Sequence, residues 1–127
     1  MINPTGGEIR EDHAGSGRFG APRGIRWHDG QDQVVEPGEG VLAPISGTFT
    51  RIVYPYADDL KWLGLEILNE HVMCTVLYVE PIRGLVGLQV RQGQTIGYAQ
   101  DITKEYPGQG MKPHVHWRIS INPNLFL

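Results

Sequence analysis

With only one cysteine, Cys74, in 127 residues, the chain cannot form an internal disulfide, and a closed structural metal site made of thiolates is not expected. Basic residues are also few. Eleven Lys and Arg against 14 Asp and Glu give a net charge of −3, with no cluster of cations of the kind that marks a nucleic-acid face. No apolar run approaches the roughly 20 residues of a membrane-spanning helix. The opening Met1-Ile2-Asn3-Pro4-Thr5-Gly6-Gly7 lacks both the charged start and the continuous apolar stretch of about 7–15 residues that a secretory signal needs. A soluble protein without an export address is expected, with neither nucleic acid nor a membrane span among its partners.

Long helical periods are scarce too, whereas 17 glycines and nine prolines punctuate the chain. That balance points to an all-β domain of short strands and turns, and the length suits one domain over residues 1–127 with a single core. Residues 1–26 read as an irregular lead segment. Strands are expected at Val41-Leu42-Ala43 and Gly47–Val53, then at Gly64–Leu68 and Val72–Tyr78 on either side of an Asn69-Glu70 turn. Two short β segments follow within 84–97, and Tyr106-Pro107-Gly108 opens a loop toward the final strand, His114–Ser120. There Val115, Trp117 and Ile119 alternate with His114, His116 and Arg118, so the two-residue period of a strand sends both histidines to one face.

Two histidine motifs carry the chemistry, His28-Asp29-Gly30-Gln31-Asp32 near the front and His114-Val115-His116 near the end. Imidazoles with a carboxylate form the ligand set of a four-coordinate zinc that keeps one position open, which is a catalytic rather than a structural arrangement. The other candidates have plainer readings. His13 and His71 are loop histidines, Trp27, Trp62 and Trp117 are core or rim aromatics with Trp27 beside a ligand, and Cys74 is a small buried hydrophobe.

The motifs occur in an order that resembles the lysostaphin (LytM-type) zinc peptidases, which cut peptide bridges of bacterial peptidoglycan. The match runs over roughly residues 15–120 through Phe19-Gly20-Ala21-Pro22-Arg23, His28-x-Gly30-x-Asp32 and Gly38-x-Gly40-Val41-Leu42-Ala43-Pro44-x-x-Gly47. It continues through Val90-x-Gln92-Gly93-Gln94-x-Ile96-Gly97 to Pro113-His114-Val115-His116. The resemblance implies a compact antiparallel β domain with long loops around a zinc cleft. It also implies one Zn²⁺ held by His28, Asp32 and His116, and His114 as the catalytic imidazole. The family's second catalytic imidazole lies in a Tyr-x-His triplet, and here the triplet is Tyr78-Val79-Glu80, which leaves Glu80 as the candidate proton acceptor.

Local segments, among them Gly15-x-Gly17, Ala21-x-Arg23, Tyr78-Val79-Glu80-Pro81-Ile82 and Tyr106-Pro107-Gly108, are similar to the leukocyte chemotaxins, secreted zinc-binding relatives regarded as non-peptidases. The disulfides and signal peptide of that branch are absent, so the expectation is a microbial or viral relative. The implied activity is endopeptidase cleavage of peptidoglycan cross-links, in association with a phage particle or lysis system. The implied alternative is a zinc-binding recognition module without turnover.

Overall fold

The computed structural model describes residues 1–18, 22–23, 26–27 and 30–124. Among them the secondary structure is all-β apart from two short 3₁₀ turns, Arg83–Leu85 and Ile102–Glu105. The strands are β1 (Glu11–Asp12), β2 (Gly15–Ser16), β3 (Pro22–Arg23), β4 (Arg26–Trp27), β5 (Gln31–Val34), β6 (Gly40–Leu42) and β7 (Gly47–Val53). They continue with β8 (Gly64–Leu68), β9 (Val72–Leu77), β10 (Val79–Pro81), β11 (Gln89–Val90), β12 (Thr95–Ala99) and β13 (His114–Ile121). The expected strands Gly64–Leu68 and Val72–Tyr78 are β8 and β9, except that β9 ends at Leu77 and Tyr78 falls between β9 and β10.

The largest sheet has six antiparallel strands in the order β11-β7-β8-β9-β13-β5, and a three-stranded antiparallel sheet has the order β10-β12-β6. Register explains which face of the large sheet is apolar. Phe49, Ile67, Cys74 and Ile119 are successive cross-strand partners, as are Ile52, Leu65, Val76 and Trp117. These two rows meet Val41, Val79 and Ile96 from the small sheet in one core, where branched and aromatic side chains fill the space between pleated surfaces. Cys74 is buried there, and burial pushes its thiol up to about 12.

The opposite face is polar, as the alternation requires. Arg51, Glu66, Thr75 and Arg118 form one row, and Gly64, Leu77, His116 and Asp32 form the next. Glu66 is buried but paired, accepting from the Thr50 hydroxyl at 2.8 Å and from the Arg51 guanidinium at 3.1 and 3.2 Å. The second row ends at β5, the sheet edge.

That edge is covered by the lead segment. Ile9 bridges Gln33, Val34 N donates to Glu8 O, and Arg10 N donates to Asp32 O at 2.8 Å. Asp32 N in turn donates to Gly17 O at 2.7 Å, while β1 and β2 pair as a small hairpin alongside. An edge strand with unpaired amides is thereby satisfied from within the chain.

Candidate active site

Asp32 and His116 are direct partners across the β5–β13 ladder. Cross-strand partners stand with Cβ atoms about 4.5–5.5 Å apart, so their polar tips can converge. Asp32 Oδ1 lies 3.0 Å from His116 Nδ1, and Asp32 Oδ2 lies 3.6 Å from His114 Nε2. All three residues are buried, at 3%, 7% and 4% exposure for Asp32, His116 and His114. They line a cleft of ≈ 400 Å³ on the polar face of the large sheet.

His114 has a fixed tautomer. Its Nδ1 lies 2.8 Å from Lys112 O, and because a carbonyl only accepts, Nδ1 carries the proton and Nε2 turns its lone pair toward Asp32 and the cleft. Burial holds its pKa below the ordinary imidazole value against the raising influence of Asp32 and Lys112 O. A neutral imidazole with a lone pair aimed into the cleft can accept a proton.

Asp32 is itself held. Arg10, 2% exposed, donates from Nε to Asp32 Oδ2 at 3.0 Å and from an NH₂ group to Asp12 Oδ1 at 2.7 Å. Asp12 also accepts from the backbone amides of Ala14 and Lys112 at 2.8 Å. Burial works to raise the Asp12 pKa, but the hydrogen bonds from Lys112, Arg10 and Ala14 outweigh it and hold the carboxyl below its usual value.

Two glycines are required by contact rather than by backbone conformation. A Cβ on Gly30 would stand 2.6 Å from His116 Nε2, and one on Gly17 would stand 2.5 Å from Asp32 Cβ and 3.0 Å from Arg10 Cβ. Gly30 therefore makes room for the His116 ring, and Gly17 lets the lead segment lie flat against Asp32 and Arg10.

The far wall of the cleft is aromatic. Tyr78 and His114 pack edge to face with ring centroids 5.7 Å apart. The Tyr78 hydroxyl is 3.2 Å from that of Tyr56, which is 2.7 Å from that of Tyr106. Tyr78 is the one non-glycine residue with positive φ (69°) among the described residues, a conformation that costs about 1–3 kcal/mol. It sits where the chain leaves the six-stranded sheet for the three-stranded one, pinned by Tyr78 N donating to Leu63 O and Gln100 N donating to Tyr78 O.

The structure does not bring Glu80 to the cleft. Its strand, β10, is buried at Val79 and Pro81 and turns Glu80 outward opposite Tyr98; the carboxylate is about half exposed and lies 3.6 Å from the Arg83 guanidinium. The left-handed turn at Tyr78 resets the alternation, so Tyr78 faces the histidines while Glu80 faces solvent. The sequence reading overlooked Arg10, Tyr56, Tyr78 and Tyr106 as cleft residues. Only Tyr78 and Tyr106 carried a signal, inside motifs that drew attention to their neighbours.

His28 and the segment Phe19-Gly20-Ala21 lie outside the described residues, as does the side chain of Trp27. His13 and His71 do not line the cleft. Among the described residues no three His, Cys, Asp or Glu side chains form a metal cluster. Asp32 and His116 nevertheless fit two ligand positions. Donors about 2.0–2.2 Å from one tetrahedral zinc stand roughly 3.3–3.6 Å apart, and the 3.0 Å between Oδ1 and Nδ1, a hydrogen-bond distance, would need to open by about half an ångström to hold the ion. Arg10 occupies the other carboxylate oxygen, the outer support that orients a monodentate ligand.

No family model matches the chain. By sequence it is similar to leukocyte cell-derived chemotaxin-2 of Mus musculus, 28% identical over 122 residues that cover 94% of this chain and 80% of that protein. By structure it is similar to the catalytic domain of the antimicrobial peptidase lysostaphin from Staphylococcus simulans, with a TM-score of 0.61 and 24% identity over 89% of this chain and 81% of that one. It is likewise similar to a zinc-containing peptidase from Vibrio cholerae, with a TM-score of 0.61 and 21% identity over 93% of this chain and 35% of that one. The all-β fold is that of lysostaphin-type peptidase domains.

Proposed function

We propose that this chain is a zinc-dependent endopeptidase that cleaves peptide cross-links of bacterial peptidoglycan. The observation that carries the reading is the buried convergence of Asp32, His114 and His116 on one cleft of a peptidase fold. Asp32 through Oδ1, His116 through Nδ1 and His28 would hold the ion. The chemistry zinc supplies when bound is a lowered pKa for water, toward about 7, and polarisation of a carbonyl.

The chain's own residues do the rest. Arg10 holds Asp32 in place, Gly30 keeps the His116 ring in register, and Lys112 O holds His114 in the tautomer whose Nε2 can accept a proton. His114 Nε2 takes the proton of the attacking water and returns it to the leaving amine. Glu80 has no part in that transfer, because its side chain points away from the cleft.

Digestion of purified cross-linked peptidoglycan, read by mass spectrometry, tests the reading. The zinc-loaded chain is expected to release fragments with new amine termini at the cross-links, and a chelator or His114→Ala is expected to abolish them. Zinc-loaded protein that leaves glycine-bridged and directly cross-linked walls intact would contradict it. That result would favour a second reading, a zinc-binding recognition module without turnover, to which the similarity with the mouse chemotaxin along 94% of the chain lends support.

A further inference from the structure

Asp32 and His114 are held from outside the cleft, and both supports lead back to one carboxylate. Asp12 closes β1, where the β1–β2 hairpin turns over the loop that leads into β13; a Cβ on Gly110 would stand 3.2 Å from His13 Cβ, so the hairpin tip rests on that loop. The Asp12 side chain is only 3% exposed, and both of its oxygens are used. Oδ1 accepts from the Arg10 guanidinium at 2.7 Å and from Ala14 N at 2.8 Å, while Oδ2 accepts from Lys112 N at 2.8 Å across 100 positions of sequence. From Arg10 the contacts run on to Asp32 Oδ2 at 3.0 Å, and from Lys112 they run through that residue's own carbonyl to His114 Nδ1 at 2.8 Å.

We propose that Asp12 is a positioning residue that sets both halves of the site at once, orienting Asp32 for the ion through Arg10 and His114 for proton transfer through the Lys112 backbone. The inference rests on the hydrolase reading above. Asp12 itself touches neither substrate nor ion and moves no proton.

An ionised carboxylate suits this role because it only accepts, and the three groups bonded to Asp12 all donate. Burial opposes the charge, but the donors outweigh it and hold the carboxyl below its ordinary pKa, so it is ionised at neutral pH. An amide in its place cannot accept on both sides. Its oxygen is expected to stay with Arg10 and Ala14, two donors of which one is charged, and its NH₂ group to face Lys112 N. Donor then meets donor, the Lys112 backbone shifts, and its carbonyl no longer fixes Nδ1 as the protonated nitrogen of His114. Asp12→Asn thus loosens His114 while sparing Asp32, whereas Asp12→Ala frees both.

Nitrogen-15 NMR of the zinc-loaded chain reads the His114 tautomer without turnover. Wild type is expected to hold the Nδ1-protonated form alone, and Asp12→Asn a mixture of the two neutral tautomers. On purified peptidoglycan Asp12→Asn is expected to lower kcat by about 10–100-fold, with KM changed little and zinc affinity within about threefold of wild type. Asp12→Ala is expected to lower kcat and zinc affinity together, each by about 10–100-fold, the range seen when outer support is lost. Ile67→Val, a truncation in the core that does not line the cleft, is the stability control: it should lower the melting temperature and leave tautomer, zinc affinity and kcat unchanged.

The wild type carries a readout of its own, which decides the matter even where a variant folds poorly. Lys112 is exposed, and its amide hydrogen is expected to exchange at least about tenfold more slowly than in the urea-unfolded chain because Asp12 holds it. Exchange at the unfolded rate overturns the proposal. Asp12→Asn with the wild-type His114 tautomer overturns it as well, as do Asp12 variants that differ from wild type only in stability, like Ile67→Val. A wild-type chain that cleaves no peptidoglycan overturns the hydrolase reading, while the tautomer, zinc and exchange measurements still decide the positioning role of Asp12.

Discussion

Arg10 Nε donates to Asp32 Oδ2 at 3.0 Å, and that contact ties the lead segment of the chain to the carboxylate at the centre of the cleft. The guanidinium is shared with Asp12, and all three side chains are nearly inaccessible to water. A buried cation between two carboxylates orients one of them for an ion and gives both a charged partner.

Arg10→Ala leaves Asp12 and Asp32 buried without their cation, and removing one partner of such a group costs about 3–5 kcal/mol. Urea denaturation in the presence of chelator should show a loss of that order. With excess zinc the loss should be smaller, because a bound cation offsets part of the charge of Asp32. Equal losses with and without zinc would mean that the ion does not sit at Asp32.

Gly30→Ala drives a methyl group to within 2.6 Å of His116 Nε2 and of Trp117 O. The His116 ring must move, and zinc affinity measured by competition with a chromophoric chelator is expected to fall by about 10–100-fold, the range seen when a metal ligand loses its support. Unchanged affinity would show that His116 is not a ligand through the ring position described.

Glu80→Gln removes a charge that touches only Arg83 and solvent, since the carboxylate is about half exposed. Peptidoglycan cleavage and zinc content are expected to match the wild type, and stability should stay within about 0.5 kcal/mol, as for surface positions generally. A large fall in kcat would return Glu80 to the site.

How much of this was legible in the sequence varies by residue. The strands around Asn69 and the alternation in β13 could be read because a half-buried strand repeats every two residues, and that period places Val115 in the core and the flanking histidines over the cleft. At Tyr78-Val79-Glu80 the candidate Glu80 came from the resemblance of the triplet alone, and the structure turns it away from the cleft. A positive φ at a non-glycine residue leaves no mark in the pattern of side chains, so the turn that separates Tyr78 from Glu80 was invisible. Arg10 was equally hidden, because nothing local to residue 10 indicates that its backbone will pair with Asp32, 22 positions on. Gly17 and Gly30 stood inside recognised motifs, but the reason for each, a neighbour too close for a Cβ, exists only in three dimensions.

Asp12 predicts a pH dependence of stability. Its folded-state pKa is depressed below the ordinary 3.8, so its contribution is fully present above that value and is lost as pH falls through the folded-state pKa. Asp12→Asn should therefore be destabilised at pH 7, with an amide hydrogen set against donors from Arg10, Ala14 or Lys112. The gap to wild type in chemical denaturation is expected to narrow below about pH 3.8. A gap independent of pH would contradict the assigned cause.

The most direct test is a crystal of the zinc-soaked chain measured on both sides of the zinc absorption edge. An anomalous peak about 2.0–2.2 Å from both Asp32 Oδ1 and His116 Nδ1, with His28 completing the protein ligands and His114 Nε2 turned toward the open side, is the predicted result. A cleft without anomalous signal at saturating zinc, or an ion that leaves Asp32 and His116 bonded only to each other, would contradict the account.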